Sequence, residues 1–96
     1  MKKRFYIHVQ PFQATHDQVL KFNEIMRNFG FIDYVTSDDV DYQLPPGGFI
    51  GNSTAGCQHI VDQTFSIANT AGFNANIFVC EFERSADLLP GYSLRR

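Results

Sequence analysis

Two segments of the chain repeat their apolar residues at the spacing of an amphipathic helix, and each is closed by a glycine. Thr15 is a capping residue with Gln18 three positions on, and Gly30 follows the last apolar residue. The stripe between them consists of Val19, Phe22, Met26 and Phe29, with Ile25 beside it. The second stripe follows the candidate cap Thr54, ends before Gly72 and contains Cys57, Ile60, Val61, Thr64, Ala68 and Ala71. The sequence therefore predicts two helices, the first over residues 16–29.

Each helix lies between segments whose apolar residues are typical of β-strands. Four strands are predicted, over residues 4–10, 31–36, 40–44 resuming at 49–52, and 74–83. Pro11 ends the first strand, and Pro45-Pro46 lies at a bend or edge, because a proline pair cannot sit inside a central strand. In the last strand Ile77 and Val79 share one face and Phe78, Cys80 and Phe82 the other. Since both faces are apolar, we expect this strand to be interior.

The order strand, helix, strand, strand, helix, strand is the pattern of a ferredoxin-like α+β fold. It predicts a four-stranded antiparallel sheet with both helices on one face. Residues 1–96 are then a single domain with a core over about 4–83 and a tail over 84–96. We place Phe5, Phe22, Phe29 and Phe31 in the core. The other face of the sheet is expected to be open unless the tail, a partner or a second copy covers it.

The charge of the chain is unevenly distributed along its length. The formal net charge is −2, but five of the eight basic residues lie in the first four and last two positions. Residues 5–94 contain three basic and ten acidic side chains, a formal charge of −7. Such a body repels phosphate, whereas nucleic-acid-binding proteins normally carry a basic stripe. An RNA contact would have to use the terminal clusters or the few basic side chains on one face, and a basic protein surface is an equally natural partner.

Several classes of protein are disfavoured by composition and motif content. The longest uninterrupted apolar run, over residues 77–80, is too short to cross a membrane, and no apolar stretch follows the basic N-terminus, so we expect a soluble, cytoplasmic protein. Cys57 and Cys80 have no partners at metal-ligand spacing and are expected to be reduced, buried thiols. There is no phosphate-binding loop, nucleophile elbow or zinc-protease motif, and we expect no metal and no cofactor.

Two histidines are candidates for chemistry on RNA. His8 shares the outer face of the first strand with Tyr6 and Gln10, and such a face on an open sheet can stack bases. A dimer or tail contact that covers this face is the alternative that we favour. His16 begins the first helix, where the helix dipole favours the neutral imidazole that a general base requires.

Two groups of charged residues are candidates for partner contacts. Lys21, Asn23 and Arg27 lie off the apolar stripe of the first helix and, with Lys2, Lys3 and Arg4, could contact phosphates. Asp38, Asp39 and Asp41 form an acidic run in a turn that lacks the further ligands of a calcium loop. These carboxylates are suited to a basic protein surface.

Several short motifs resemble the GhoS family, the antitoxins of type V toxin–antitoxin systems, and related bacterial and phage proteins. They lie within residues 5–83: Met26 and Phe31 at the close of the first helix, Ser37-Asp38-Asp39, Tyr42-Gln43-Leu44-Pro45-Pro46, Phe49, Gly51-Asn52 and Thr54. The resemblance implies a ferredoxin-like domain that cleaves the messenger RNA of a membrane toxin. The family's basic residues of the first helix correspond to Lys21 and Asn23, and Asn23 cannot neutralise a phosphate as a cation does.

Two functions are therefore expected from different classes. The first is a GhoS-like antitoxin, a metal-independent endoribonuclease in which His16 or His8 transfers the proton and the RNA's own 2′-hydroxyl attacks. The second is a non-catalytic acidic protein, such as a phage inhibitor of a host defence complex, that binds its partner through Asp38, Asp39 and Asp41 together with the open sheet face. A homodimer formed through the open sheet face is a third, purely structural, alternative.

Overall fold

The structure is a computed structural model that describes residues 2–83 and 93–94. Its elements in chain order are β1 (Lys3–Phe12), α1 (His16–Asn28), β2 (Tyr34–Ser37), β3 (Val40–Gln43), β4 (Gly48–Ser53), α2 (Cys57–Ala71), β5 (Asn74–Phe82) and β6 (Ser93–Leu94). The protein is thus a small mixed α+β domain with two helices and antiparallel strands. Among the described residues, no helix is long and apolar enough to cross a membrane. The predicted tail beyond Glu83 lies, apart from residues 93–94, outside the described residues.

Helix α1 begins where the sequence predicts and buries Phe22 and Met26 of the expected stripe. The side chain of Thr15 accepts from the Gln18 amide at 3.2 Å, and Gln18 Oε1 accepts from the Thr15 amide at 2.8 Å, which completes the capping box. The prediction that Phe29 is in the core is wrong, because its side chain is 53% exposed. The chain reverses at Gly30, and the Phe31 amide donates to the Met26 carbonyl at 2.9 Å. Phe31 is thereby buried beneath the end of the helix.

Helix α2 ends as predicted but begins later. Gly72 has φ of +99° and closes the helix in the left-handed conformation. The prediction that Thr54 is the N-cap is wrong, since the cap is Gly56 and the helix starts at Cys57. The residues before it form a separate bend in which Ser53 Oγ accepts from the Ala55 amide at 3.0 Å. The Ser53 hydroxyl therefore stabilises the bend that precedes α2 and does not cap the first turn of the helix.

The main sheet has three antiparallel strands in the order β4-β1-β5. Strand β1 is central and places Tyr6 opposite Ile50 on one side and Cys80 on the other. The prediction that residues 74–83 form an interior strand is wrong, because the described neighbours of β5 in the sheet are on one side only. Strand β1 also continues past Pro11, against prediction. Beyond His8 it pairs with β5 alone, and proline is tolerated where a strand has a free side.

The predicted fourth strand of this sheet is not formed, so the four-stranded sheet is wrong. In its place Ile32 makes a single antiparallel bridge to Ile50, with N···O distances of 2.9 and 2.8 Å. The chain then leaves the main sheet, and β2 pairs with β3 and β3 with β6 in a second sheet. Asp38 and Asp39 both have positive φ and form a tight turn that pairs β2 with β3. The strand that would complete a four-stranded main sheet, β2, is therefore paired with β3 in the second sheet.

Both helices cover one face of the main sheet, as predicted. The core beneath them contains Phe5, Ile7, Val9, Phe22, Met26, Phe31, Phe49, Ile60, Ile67, Ala68, Ala71 and Phe73. Ile77 and Val79 pack against this core from β5, whereas Phe78 points the other way and is 62% exposed. The predicted assignment of the two faces of β5 is confirmed.

A tight turn over residues 45–48 docks the β3–β4 connection onto β1. The Gly48 amide donates to the Pro45 carbonyl at 2.9 Å, and Gly47, at φ of +86°, occupies the turn position that requires a left-handed residue. The Val9 amide donates to the Gly47 carbonyl at 2.8 Å. A Cβ on Gly47 would overlap the Val9 carbonyl oxygen. The predicted bend at Pro45-Pro46 is confirmed, and it separates β3 from β4 into different sheets.

We expect Gly47→Ala to destabilise the protein strongly. The left-handed conformation costs an L-residue about 1–2 kcal/mol, and the overlap with a backbone atom adds a further cost of similar size. Gly30→Ala is the matched control, because Gly30 has φ of +90° but nothing within 4 Å of the added Cβ. Urea unfolding should show a loss of about 2–4 kcal/mol for Gly47→Ala and about half of that or less for Gly30→Ala. Equal losses would contradict the close approach to Val9.

Candidate functional site

The face of the main sheet that the helices leave uncovered is here called the open face. Because side chains alternate along a strand, the register assigns to it residues from all three strands. They are Arg4, Tyr6, His8, Gln10 and Phe12 of β1, Ile50 and Asn52 of β4, and Asn74, Asn76, Phe78, Cys80 and Phe82 of β5. None of these described residues is acidic. The open face therefore combines aromatic rings, amides and one guanidinium in a chain whose body is strongly negative.

Pairwise contacts organise the open face along β1. Tyr6 Oη and His8 Nδ1 are joined by a hydrogen bond of 3.3 Å, and their rings lie 6.4 Å apart at 25° to each other. At one end of the strand the Arg4 guanidinium lies over the Phe82 ring, 5.2 Å from its centroid. Toward the other end Asn76 Nδ2 donates to Gln10 Oε1 at 3.3 Å. The side chains are thus held in defined positions on a surface that still exposes Phe78 and Phe12.

The phenol of Tyr6 lies on this face and is half-buried. Burial, and secondarily the electrostatic interaction with the neighbouring Cys80, raise the pKa of the Tyr6 phenol above its ordinary value. Tyr6 therefore stays neutral at physiological pH, and its hydroxyl can donate to His8 Nδ1 or accept from it. Gly48 lies beside this hydroxyl, and a Cβ there would be 3.0 Å from Tyr6 Oη. Nδ1 of His8 is held in either case, which leaves Nε2 for other contacts.

A cavity of about 510 Å³ lies beside the open face, between β1, α1 and the turn over residues 45–48. Its polar lining consists of His8, Gln10, Asn23, Asp33 and Gln43. Its apolar lining includes Val19, Phe22, Leu44 and Phe49. His8 and Gln10 border both the open face and the cavity, so the two surfaces are continuous. Among the residues described, none that line the cavity is Lys or Arg.

The structure brings together some of the predicted RNA-binding residues and separates others. Arg4, Tyr6 and His8 lie on the open face of β1. Lys3 has the opposite orientation in the strand, and its Nζ is 3.5 Å from Glu81 Oε1. Lys21 and Arg27 are exposed on α1, in the helix layer. Their spacing of six residues places them on different sides of the helix.

The remaining predicted site residues lie away from the open face. Exposed His16 is the first residue of α1. Lys2, also exposed, immediately precedes β1. Asp38 and Asp39 are exposed at the tip of the β2–β3 hairpin, and Asp41 Oδ1 accepts from Thr36 Oγ1 at 2.5 Å. Within residues 2–83 and 93–94, no three His, Cys, Asp or Glu side chains are grouped to hold a metal ion.

The cavity is the part of the site that sequence reasoning missed. Asn23, Asp33 and Gln43 come from a helix, a loop and the end of a strand, and no spacing along the chain connects them. The available signal was the Pro45-Pro46-Gly47-Gly48 turn. Glycines in a turn allow a close approach of two backbone segments. Here the turn approaches β1 at Val9, and the cavity lies beside that contact.

Comparison with known proteins relates the chain to a bacterial family. It is 55% identical over 92 residues to the Escherichia coli (strain K12) protein named "Uncharacterized protein YmfI", across 95% of this chain and 81% of that protein. The chain belongs to the YmfI family. No protein-family model matches the sequence, and no solved structure matches it. The YmfI family membership leaves the resemblance to GhoS as a prediction from the sequence.

We expect Tyr6→Phe to remove part of the loss of stability at alkaline pH. In the unfolded chain the phenol ionises near pH 10, whereas in the folded protein its pKa is raised. The stabilising contribution of neutral Tyr6 is therefore complete below about pH 10 and is lost as the pH rises toward the folded pKa. Urea unfolding at pH 8 and pH 10.5 should show a larger loss for the unmodified protein than for Tyr6→Phe. Equal losses would contradict the raised pKa.

Proposed function

We propose that the protein binds single-stranded RNA on the open face, as an RNA-directed antitoxin of the GhoS kind would. We infer that its scaffold is a ferredoxin-like domain whose fourth strand is reduced to the Ile32–Ile50 bridge. The observation that carries the proposal is the composition of the open face: Tyr6, His8, Phe78 and Phe82 are gathered there with Arg4, and no acidic residue among those described lies on it.

Aromatic rings on a sheet are the elements that recognise unpaired bases. Stacking on such a ring contributes about 1–3 kcal/mol per base, and every base offers a flat face for it. Phe78 is the most exposed of the large apolar residues that the structure describes, and it lies directly opposite His8 in the register. Tyr6 and Phe82 continue the aromatic surface toward Arg4. A strand of RNA laid along β1 would meet these rings in succession.

The distribution of charge favours this face over the rest of the body. Asp17, Glu24 and Asp62 lie on the helices, and Asp38 and Asp39 lie on the hairpin of the second sheet. The open face carries Arg4 near the chain's basic N-terminus. Phosphate groups would therefore encounter a guanidinium at one end of the platform, with amides along the remainder. Since a single cation neutralises few phosphates, we expect stacking to contribute more to affinity than charge does.

His8 is the residue of this face that is suited to proton transfer. With Nδ1–H donating to Tyr6 Oη, the lone pair on Nε2 can accept the proton of a ribose 2′-hydroxyl. The 2′-oxygen then forms a bond to phosphorus and the bond to the 5′-oxygen breaks, which leaves a 2′,3′-cyclic phosphate. The departing 5′-oxygen takes a proton from water. Tyr6 is the positioning residue in this scheme.

We expect Phe78→Ala to weaken binding of a fluorescently labelled single-stranded RNA by about 5- to 100-fold, because a stacking surface is lost. Phe65→Ala is the matched control, since Phe65 is also an exposed phenylalanine but lies on α2. Fluorescence anisotropy at a fixed salt concentration measures both. Asp38→Asn/Asp39→Asn should bind like the unmodified protein. Equal binding by Phe78→Ala and Phe65→Ala would contradict the assignment of the open face.

We expect His8→Gln to abolish RNA cleavage in EDTA while it keeps binding within about tenfold, since the amide cannot serve as a base. His16→Gln, at the exposed start of α1, should cleave normally. Gel analysis of a candidate toxin message follows the reaction. Intact RNA at high concentrations of the unmodified protein would refute cleavage, and the anisotropy assay would then decide whether binding alone is retained.

A second candidate function is contact with a basic protein surface, and the geometry of the hairpin tip favours it. Asp38 and Asp39 have φ of 51° and 63°, so a two-residue turn presents two adjacent exposed carboxylates. The hairpin belongs to the second sheet, which leaves the open face outside this contact. The two functions are therefore separable by mutation. We expect Asp38→Asn/Asp39→Asn to affect protein binding only, and Phe78→Ala to affect RNA binding only.

A further inference from the structure

The cavity beside the open face is lined by several carboxamides and, among the residues described, by no Lys or Arg. Its polar side chains are the carboxamides of Gln10, Asn23 and Gln43, the carboxylate of Asp33 and the imidazole of His8. Its volume of about 510 Å³ lies within the range of about 300–1,000 Å³ that is typical of small-molecule sites. His8 and Gln10 belong both to this lining and to the open face.

The chemistry of this lining selects against anions. An anionic group such as a phosphate would require a cation, and none of the described lining residues is Lys or Arg. Carboxamides donate and accept in one plane, which suits a flat heterocycle with donors and acceptors along its edge. The Asp33 carboxylate only accepts when ionised, so it selects for an N–H group opposite to it.

The apolar part of the cavity lining is held in place by packing and by a backbone hydrogen bond. Phe22 and Phe49 pack edge to face with their centroids 5.7 Å apart, which holds both rings against the cavity. The turn over residues 45–48 also lines the cavity, and the Val9–Gly47 hydrogen bond holds it on β1. Because this site is already formed, binding a flat ring would cost the protein little conformational entropy.

We propose that this cavity binds a nucleobase that carries an exocyclic amino group and excludes uracil. Adenine, cytosine and guanine each offer an amino N–H to Asp33, whereas uracil presents carbonyl oxygens on both sides of its single ring N–H. In the RNA-bound protein, the base would belong to a nucleotide that turns away from the strand lying on the open face. This part of the inference rests on the proposed function. The pocket would then give the RNA platform its sequence preference, since stacking alone reads no sequence.

The test is a titration of the full-length, isotope-labelled protein with adenosine, cytidine and uridine, followed by NMR through the side-chain amide signals of Gln10, Asn23 and Gln43. Adenosine and cytidine should shift these signals and bind at least about fivefold more tightly than uridine, as expected for one pair of base-specific hydrogen bonds. Asp33→Asn should bring the ratio close to one, because an amide can donate to the carbonyls of uracil. Asp62→Asn on α2 is the matched control and should leave the ratio unchanged.

Asn23→Leu is a second variant, which replaces a carboxamide of the lining with an apolar side chain and should weaken nucleoside binding in a protein that remains folded by circular dichroism. Equal binding of all three nucleosides, or no shift with any of them, would overturn the pocket. RNA binding that is lost in Phe78→Ala but shows no preference between oligo(C) and oligo(U) would also overturn it, while the proposed function would stand. Nucleoside binding in a protein that binds no RNA would support the pocket and refute the proposed function.

Discussion

The hydrogen bond from the Val9 amide to the Gly47 carbonyl holds the connection between β3 and β4 against β1. It exists because Gly47 is left-handed and has no Cβ to collide with the Val9 carbonyl. The turn that it anchors leads directly into β4, brings Gly48 against the Tyr6 hydroxyl and forms one wall of the cavity. The turn that this contact holds therefore borders the Tyr6 hydroxyl, the start of β4 and the cavity.

The separation of charge in the molecule follows from the same architecture. The helix layer and the hairpin of the second sheet carry acidic side chains, and the open face carries Arg4 without any described acidic residue. The total charge of the body therefore says little about what this face can bind. A chain with a formal charge of −7 over residues 5–94 can still present a surface that accepts RNA, provided that stacking rather than phosphate contact supplies most of the affinity.

Local patterns in the sequence predicted the parts of the fold that depend on interactions between residues close together in the chain. The capping box at Thr15 and the alternation of Phe5, Ile7 and Val9 specify α1 and the buried face of β1 without reference to the remainder of the chain. The fourth strand could not be predicted in this way, since Ile32 and the residues after it had two possible partners. The choice depends on the tight turn at Asp38-Asp39, which pairs β2 with β3, and on the docking of Gly47. Phe29 was misplaced for a related reason: Phe31 occupies the position beneath α1 once the chain reverses at Gly30.

The central claim is that single-stranded RNA lies on the open face. The most direct test is NMR mapping of the isotope-labelled protein during titration with a short single-stranded RNA, with resonances assigned for β1, β5, α1 and the hairpin. The account predicts that the largest changes occur at Tyr6, His8, Phe78 and Phe82, with small changes at Asp38 and Asp39. Changes confined to the hairpin or to Lys21 and Arg27 on α1, or no change at RNA concentrations that saturate other sheet-based RNA-binding proteins, would contradict it.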